Sequence, residues 1–107
     1  GGELQAHYTA TKGAMNQMMK SIAISVGKYG ITANAVLPGT VITDINRFQL
    51  EDEAPELKEY FVKRTPIGRL AKPEDIANAA LFFASDDASV VSGATLIIDG
   101  GMSINMQ

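Results

Sequence analysis

Tyr8 and Lys12 are the residues whose types and spacing most directly suggest chemistry in this sequence. They stand four positions apart, so a helix would place both side chains on one face, one turn apart. A tyrosine hydroxyl with a pKa of about 10 is a poor base at neutral pH, but an ammonium within about 4–6 Å favours the phenolate. Such a pair can exchange a proton with a substrate oxygen. The same spacing also occurs on solvated helical turns, so the pair alone does not identify a site.

A Pro-Gly turn followed by hydroxyl side chains is the second candidate. Ile31–Leu37 is short and largely apolar, which predicts a buried strand that ends at Pro38 and Gly39. In open α/β sheets, ligands bind beyond the carboxyl ends of the strands, and a glycine there lets the backbone approach a flat ring. A plain strand-terminating turn is the alternative. The residues that follow this turn and could contact a ligand are Thr40, Val41 and Thr43.

The elements that must position these residues alternate between helices and strands. A long amphipathic helix is predicted from Tyr8 to Lys28, closed by Gly30 in a left-handed C-terminal cap. After the strand at 31–37, residues 44–69 are polar and broken, and we expect short helices there, one capped by Asp44 and one beginning at Pro55. A second long helix begins at Pro73, and a second buried strand covers 93–99. The order predicts an α/β fold around a parallel sheet.

Apolar residues predict which helix faces are buried. The first helix is expected to pack on the sheet through a stripe of residues four apart: Ala10, Ala14, Met18, Ile22 and Val26. Met15, Met19 and Ala23 widen this stripe. The second helix has a comparable stripe formed by Ile76, Ala80, Phe83 and Ala84. Both stripes indicate a helix layer covering a sheet.

Composition excludes several kinds of protein. The chain has 107 residues, a formal net charge of −3, no cysteine and one histidine. We therefore expect no disulfide framework, no cysteine nucleophile and no metal site. The charges are interspersed, which predicts no nucleic-acid or membrane partner, and the apolar stretch 76–84 is too short to cross a bilayer. With no signal peptide at Gly1, a cytoplasmic location is expected.

Five blocks of sequence resemble the C-terminal half of the short-chain dehydrogenase/reductase family, in the same order and with the same spacing. They are Tyr8–Ala14, Gly30–Thr40, Pro66–Arg69, Pro73–Ala77 and Ser92–Gly101. The resemblance implies that residues 1–107 form the C-terminal portion of one Rossmann-type domain with a doubly wound parallel sheet. The family's glycine-rich phosphate loop and its catalytic asparagine and serine would precede Gly1. We therefore expect the 107 residues alone not to turn over substrate. The resemblance also implies that the parent protein is a homotetramer.

The same resemblance implies roles for individual residues. Tyr8 corresponds to the family's catalytic acid/base, and Lys12 to the residue that binds the nicotinamide ribose and activates the tyrosine. The implied cofactor is NAD or NADP, contacted by Tyr8 and Lys12 and by a segment that contributes Pro38, Gly39, Val41 and Thr43. Residues 44–65 correspond to the substrate-binding loop and helix. Three polar residues match positions that are usually structural: Asn34, Arg69 and Asp99.

Two further runs bear on the substrate. Gly1–Thr9 and Val36–Thr40 are similar to the family's sugar dehydrogenases, which oxidise the anomeric hydroxyl of a free aldose to a lactone. Glu3, Gln5 and Thr40 would then be candidates for hydrogen bonds to sugar hydroxyls, because a site built on such bonds rejects analogues that lack them. One alternative is a 3-oxoacyl-carrier-protein reductase. Another is a non-catalytic, truncated chain that retains only assembly surfaces.

Overall fold

Helices and strands alternate along the chain in the predicted order. The computed structural model describes the backbone of residues 2–105 and the side chains of residues 10–105. Its main elements are α1 (Gly2–Val26), β1 (Ala35–Pro38), α2 (Pro55–Lys63), α3 (Pro73–Ala84) and β2 (Thr95–Ile98). Short helical turns of other types cover Gly27–Tyr29, Phe48–Glu53, Asp86–Ala88 and Met102–Ile104.

The two strands pair in parallel, which confirms the α/β prediction. The Ala35 N–H donates to the Ala94 carbonyl at 2.9 Å, and the Gly39 N–H donates to the Ile98 carbonyl at 3.0 Å. Both partners advance along the chain in the same direction, as parallel strands require.

Each strand is shorter than predicted, four residues instead of seven. Just before β1, side-chain bonds accompany one backbone bond, in which the Gly93 N–H donates to the Ala33 carbonyl at 2.8 Å. The Ala33 N–H donates to the Ser92 hydroxyl at 3.2 Å, and the Asn34 amide bonds the Val91 carbonyl and the Ala94 N–H, each at 3.0 Å. These contacts hold residues 33–34 outside regular strand geometry, although the apolar pattern extends over them.

Helix starts and stops follow local signals where the sequence supplies them. Gly30 has a φ of 75°, and its N–H donates to the Gly27 carbonyl at 3.0 Å, which confirms the left-handed cap. Pro55 and Pro73 begin α2 and α3 as predicted. The prediction that Asp44 caps a short helix is wrong: its carboxylate instead lies 3.7 Å from the Arg47 guanidinium, and both side chains are exposed.

The buried face of α1 differs from the predicted stripe. Met19 is buried, with 8% of its surface exposed, whereas Met18 and Ile22 are 60% and 46% exposed. On α3, Ala80 and Ala84 are likewise exposed. Helix α1 has 25 residues and is about 37 Å long, whereas a four-residue strand spans about 13 Å. Each strand is therefore about a third as long as the helix, too short to cover the whole predicted stripe.

The chain divides into two compact units. One comprises Gly1–Ala35 and Phe83–Leu96, and the other Val36–Phe82 and Ile97–Gln107. In the first unit, the Thr95 hydroxyl donates to the Asn16 side-chain oxygen at 3.2 Å and so joins α1 to the start of β2. In the second unit the buried side chains are Leu37, Leu50, Thr65 and Leu70. No helix in the described part of the chain is both long and apolar enough to cross a membrane.

Candidate functional site

The catalytic candidates belong to the first unit and to α1. Tyr8 and Lys12 lie on the same uninterrupted helix, one turn apart, as the spacing predicts. The side chains of Glu3, Gln5 and Tyr8 lie outside the described residues. Lys12 is half-buried and forms no ion pair with any side chain of residues 10–105. Its positive charge is therefore not neutralised by a carboxylate within that part of the chain.

In the second unit, Gly39 allows the ends of the two strands to meet. A Cβ atom on this residue would lie 2.6 Å from the Cβ of Asp99 and 3.0 Å from its Cα. Real Cβ atoms do not approach that closely, so only glycine fits between β1 and the residue that follows β2. Pro38 is exposed and ends β1 immediately before this contact. Close packing against Asp99 thus requires glycine at position 39, and the sequence alone did not indicate this. The sequence-based expectation was that glycine lets the backbone approach a flat ring.

Val41 forms an isolated parallel bridge with Ala71. The Ile42 N–H donates to the Ala71 carbonyl at 3.1 Å, and the Ala71 N–H donates to the Thr40 carbonyl at 3.3 Å. In a parallel bridge, the N–H and C=O of the bridged residue point away from the partner strand. The Val41 carbonyl accepts a hydrogen bond from the Asn46 amide at 2.8 Å, while its N–H has no partner among the described residues.

The hydroxyl of Thr43 is also free. The Thr43 N–H donates to the Asn46 side-chain oxygen at 2.7 Å, whereas its hydroxyl makes no hydrogen bond within the described part of the chain. Thr40 is half-buried, and its hydroxyl likewise has no partner there. The segment after β1 therefore offers one backbone donor and two hydroxyl groups that no described residue uses.

Asn46 is the site residue that the sequence analysis missed. Its amide bonds two predicted contact residues at once, Val41 and Thr43. A signal was present, because Thr43-Asp44-Ile45-Asn46 has the spacing of a capping box, in which the third helical side chain bonds back to the N-cap N–H. The neighbouring Asp44 masks this signal in the sequence, because aspartate is a stronger N-cap residue than threonine.

A cavity of about 930 Å³ lies beside this segment, within the second unit. It is within the size range typical of small-molecule sites. The predicted substrate region provides half of its lining, and the start of α3 provides a part that was not predicted. The lining residues are Ile42, Thr43, Asp44, Ile45, Arg47, Glu51, Lys58, Lys72, Pro73 and Glu74.

Cationic and anionic side chains are balanced around this cavity. The Lys58 ammonium lies 3.5 Å from the Glu51 carboxylate and so ties α2 to the turn at 48–53. The Lys72 side chain forms no salt bridge with the described residues. No group of three His, Cys, Asp or Glu side chains in the described part of the chain could hold a metal ion. The cavity thus offers both hydrogen-bond donors and acceptors to a polar ligand.

Arg69 and Asp99, which the resemblance assigns to structural positions, hold backbone turns together. The Arg69 guanidinium lies 3.0 Å from the Asp75 carboxylate, which also accepts the Lys72 N–H at 2.8 Å. The hydrogen bond from Arg69 holds the pKa of Asp75 below its usual value, with the Lys72 N–H adding to the effect. The Asp99 carboxylate accepts hydrogen bonds from the N–H groups of Gly101 and Ser103, at 2.9 and 2.8 Å.

Known proteins resemble the chain over nearly its whole length. The family model described as enoyl-(acyl carrier protein) reductase matches residues 1–103. An L-rhamnose 1-dehydrogenase (NAD(P)(+)) of a Sphingomonas species is 52% identical over all 107 residues, and an L-rhamnose 1-dehydrogenase (NADP(+)) of Thermoplasma acidophilum is also 52% identical. The crystal structure of a short-chain dehydrogenase/reductase from Burkholderia thailandensis superposes with a TM-score of 0.79 at 40% identity, covering 91% of this chain and 38% of that one.

The chain spans 41% of the length of each of these two sugar dehydrogenases. L-rhamnose 1-dehydrogenase is the kind of sugar 1-dehydrogenase that the runs Gly1–Thr9 and Val36–Thr40 resemble. The matching part is the C-terminal portion of the family, as the five blocks of sequence indicated. A family match over residues 1–103 together with these identities is decisive: this chain belongs to the short-chain dehydrogenase/reductase family.

Proposed function

We propose that this chain is the C-terminal part of an NAD(P)-dependent oxidoreductase that transfers hydride between the cofactor and a hydroxyl or carbonyl carbon. The observation that carries the proposal is the polar edge formed by Val41 and Thr43. Within three residues it presents a carbonyl, together with an N–H and a hydroxyl that no described residue binds. That set is complementary to a primary carboxamide, which has one acceptor oxygen and two N–H donors.

The residues present fit a nicotinamide cofactor. The Val41 N–H can donate to the carboxamide oxygen, and the Val41 carbonyl has a second lone pair for a carboxamide N–H although Asn46 uses the first. This is the hydrogen-bonding pattern of an added strand, with the ligand amide in place of a peptide. The Thr43 hydroxyl is a further contact. When bound, the nicotinamide ring supplies the position that gains or gives up hydride.

Tyr8 and Lys12 supply the proton chemistry in this proposal. The Tyr8 phenolate takes the hydroxyl proton as hydride leaves the substrate carbon, and in the reverse direction it returns that proton to the carbonyl oxygen. Lys12 favours the phenolate by its positive charge and binds the cofactor ribose. Support comes from their positions on α1 and from the absence of a carboxylate partner for Lys12 among residues 10–105.

The substrate we propose is an aldose oxidised at its anomeric carbon to a lactone. Support comes from the two relatives named as L-rhamnose 1-dehydrogenases at 52% identity, and from a cavity lined by balanced charges. Residues 44–65 form the substrate segment in this proposal, and the groups we propose to contact sugar hydroxyls are Glu3, Gln5 and Thr40.

A 3-oxoacyl-carrier-protein reductase is the competing function. Its substrate arrives on an acidic carrier protein, so a basic approach to the site would favour it. Residues 51–59, beside the cavity, carry one cation, Lys58, and five exposed acids: Glu51, Asp52, Glu53, Glu56 and Glu59. Like charges disfavour such a docking partner. Turnover of a 3-oxoacyl thioester in preference to any aldose would establish this alternative.

The test is steady-state kinetics of the full-length protein with aldoses and both cofactors. We expect Tyr8→Phe to lower kcat by about 10²–10⁴-fold while the dissociation constant of the cofactor changes little. Lys12→Met should impair both quantities, because Lys12 has two roles. Tyr29→Phe and Lys20→Met are matched controls, since both residues are exposed. Unchanged turnover in Tyr8→Phe would refute the assignment.

The assembly state and the activity of the segment alone are separate parts of the proposal. We propose a homotetrameric parent protein, which sedimentation equilibrium measures directly. A truncated chain that retains only assembly surfaces would associate without binding cofactor. Binding of NADH or NADPH by the full-length protein, measured by fluorescence, would exclude that reading for the parent. The isolated 107 residues are expected to show no turnover.

A further inference from the structure

We propose that Asn46 is a positioning residue, which holds the backbone of residues 41–43 in the orientation that receives the cofactor carboxamide. This inference rests on the proposed function, because it assumes that Val41 and Thr43 contact the cofactor. Asn46 belongs neither to the proposed catalytic pair, Tyr8 and Lys12, nor to the proposed cofactor segment, Pro38–Thr43. The juxtaposition that motivates it is one side-chain amide bonded to two of the proposed contact residues.

Three successive peptide groups are fixed by these contacts. The peptide that joins Thr40 to Val41 is held at its carbonyl by Ala71, and the next is held by Ala71 at the Ile42 N–H and by Asn46 at the Val41 carbonyl. The third, which joins Ile42 to Thr43, is held at the Thr43 N–H by Asn46. The donor left over in this run is the Val41 N–H. Asn46 therefore supplies two of the four hydrogen bonds that set the direction of the Val41 N–H.

Ordinary helix capping does not account for the whole arrangement. The Thr43 carbonyl accepts the N–H groups of Asn46 and Arg47, at 3.2 and 2.9 Å, so a helical turn starts at Thr43. In a capping box the threonine hydroxyl would bond the N–H of the third helical residue, while that residue's side chain bonds back. Only the second half is made here. The Thr43 hydroxyl consequently remains available to a ligand.

The second bond, to Val41, needs a donor and so distinguishes asparagine from other capping residues. A carboxylate accepts the Thr43 N–H as well as an amide does, and it interacts favourably with the start of a helix. An ionised aspartate cannot donate to the Val41 carbonyl, and its negative charge faces that carbonyl oxygen instead. Asn46→Asp thus keeps the capping contact and removes the contact with Val41.

The experiment compares Asn46→Asp with the wild-type full-length protein. We expect its melting temperature to stay within a few degrees of the wild type. The dissociation constant of the reduced cofactor, measured by fluorescence, should rise about tenfold, with a matching rise in cofactor KM. Asn78→Asp is the matched control, because Asn78 is exposed on α3 and undergoes the same change of charge.

A cofactor analogue separates positioning from a general structural effect. An acetylpyridine analogue replaces the carboxamide NH₂ with a methyl group, so it cannot donate to the Val41 carbonyl. If Asn46 acts through that carbonyl, the ratio of mutant to wild-type dissociation constants should fall toward one for the analogue. An equal ratio for both cofactors would overturn the proposal, and so would wild-type affinity in Asn46→Asp.

The two proposals fail in different ways. If the wild-type full-length protein binds neither NADH nor NADPH, the proposed function is wrong. If it binds and turns over but Asn46→Asp behaves like the wild type, only the role of Asn46 is wrong. Lower stability with unchanged cofactor affinity would show that Asn46 acts as a helix cap alone.

Discussion

Replacement of Gly39 by alanine tests the contact between the strand ends. The new Cβ would lie 2.6 Å from the Cβ of Asp99, and an ordinary contact begins near 3.4 Å, so the atoms must separate by about 0.8 Å (3.4 less 2.6). Asp99 cannot retreat easily, because its carboxylate is held by the N–H groups of Gly101 and Ser103. Gly39 is held by its own bond to the Ile98 carbonyl. We expect Gly39→Ala to destabilise the fold by about 1–3 kcal/mol, the range for overpacking.

Urea denaturation of the full-length protein measures this change, with Gly13→Ala as the control. Gly13 lies within α1, and a Cβ there would meet nothing within 4 Å. Because glycine is a poor helix former, Gly13→Ala should stabilise the protein by about 0.5–1 kcal/mol. The two substitutions add the same methyl group but are predicted to change the free energy of unfolding in opposite directions. Equal stability of Gly39→Ala and the wild type would refute the close approach that we describe.

Two further predictions concern polar contacts. Asn34→Ala removes hydrogen bonds to the Val91 carbonyl and the Ala94 N–H, so it should lower the free energy of unfolding by about 1–3 kcal/mol. Ser92→Ala removes one exposed hydrogen bond and should lower it by less than about 1 kcal/mol. Urea titrations of the two variants measure both changes. The pKa of Asp75 is lowered in the folded chain, so its carboxylate stabilises the fold at neutral pH and this contribution is lost as pH falls through the lowered pKa. Asp75→Asn should therefore be less stable than the wild type at pH 7, with a difference that narrows below about pH 4 in thermal melts; a constant difference would contradict the assignment.

Features set by neighbouring residues were predictable from the sequence. Gly30, Pro55 and Pro73 mark helix ends because each acts through its own backbone, whatever the rest of the chain does. The order of helices and strands followed from such signals and from apolar periodicity. The same local signals predicted the helix that carries Tyr8 and Lys12, and the four-residue spacing then put the two residues one turn apart.

Features set by distant residues were not predictable in this way. The reason for Gly39 is Asp99, which lies sixty positions further along the chain. Met19 is buried and Met18 is 60% exposed, although both belong to the apolar face that periodicity predicts for α1. The contacts of Asn46 are local, yet they involve backbone groups that composition and periodicity do not describe. The roles proposed for Tyr8 and Thr43 remain predictions that kinetics must test.

The parallel pairing of β1 with β2 has a consequence for how the intervening chain can change. Residues 39–94 form a closed loop of 56 residues between the paired strands. The entropy cost of closing a loop grows only with the logarithm of its length, so ten more residues within 44–65 would cost about 0.1–0.2 kcal/mol. The segment that we propose to bind substrate can therefore be lengthened or exchanged with little effect on the strand pairing. Insertions between the exposed residues of this segment can change specificity at little cost in loop-closure entropy, as long as Leu50 and Thr65 stay buried.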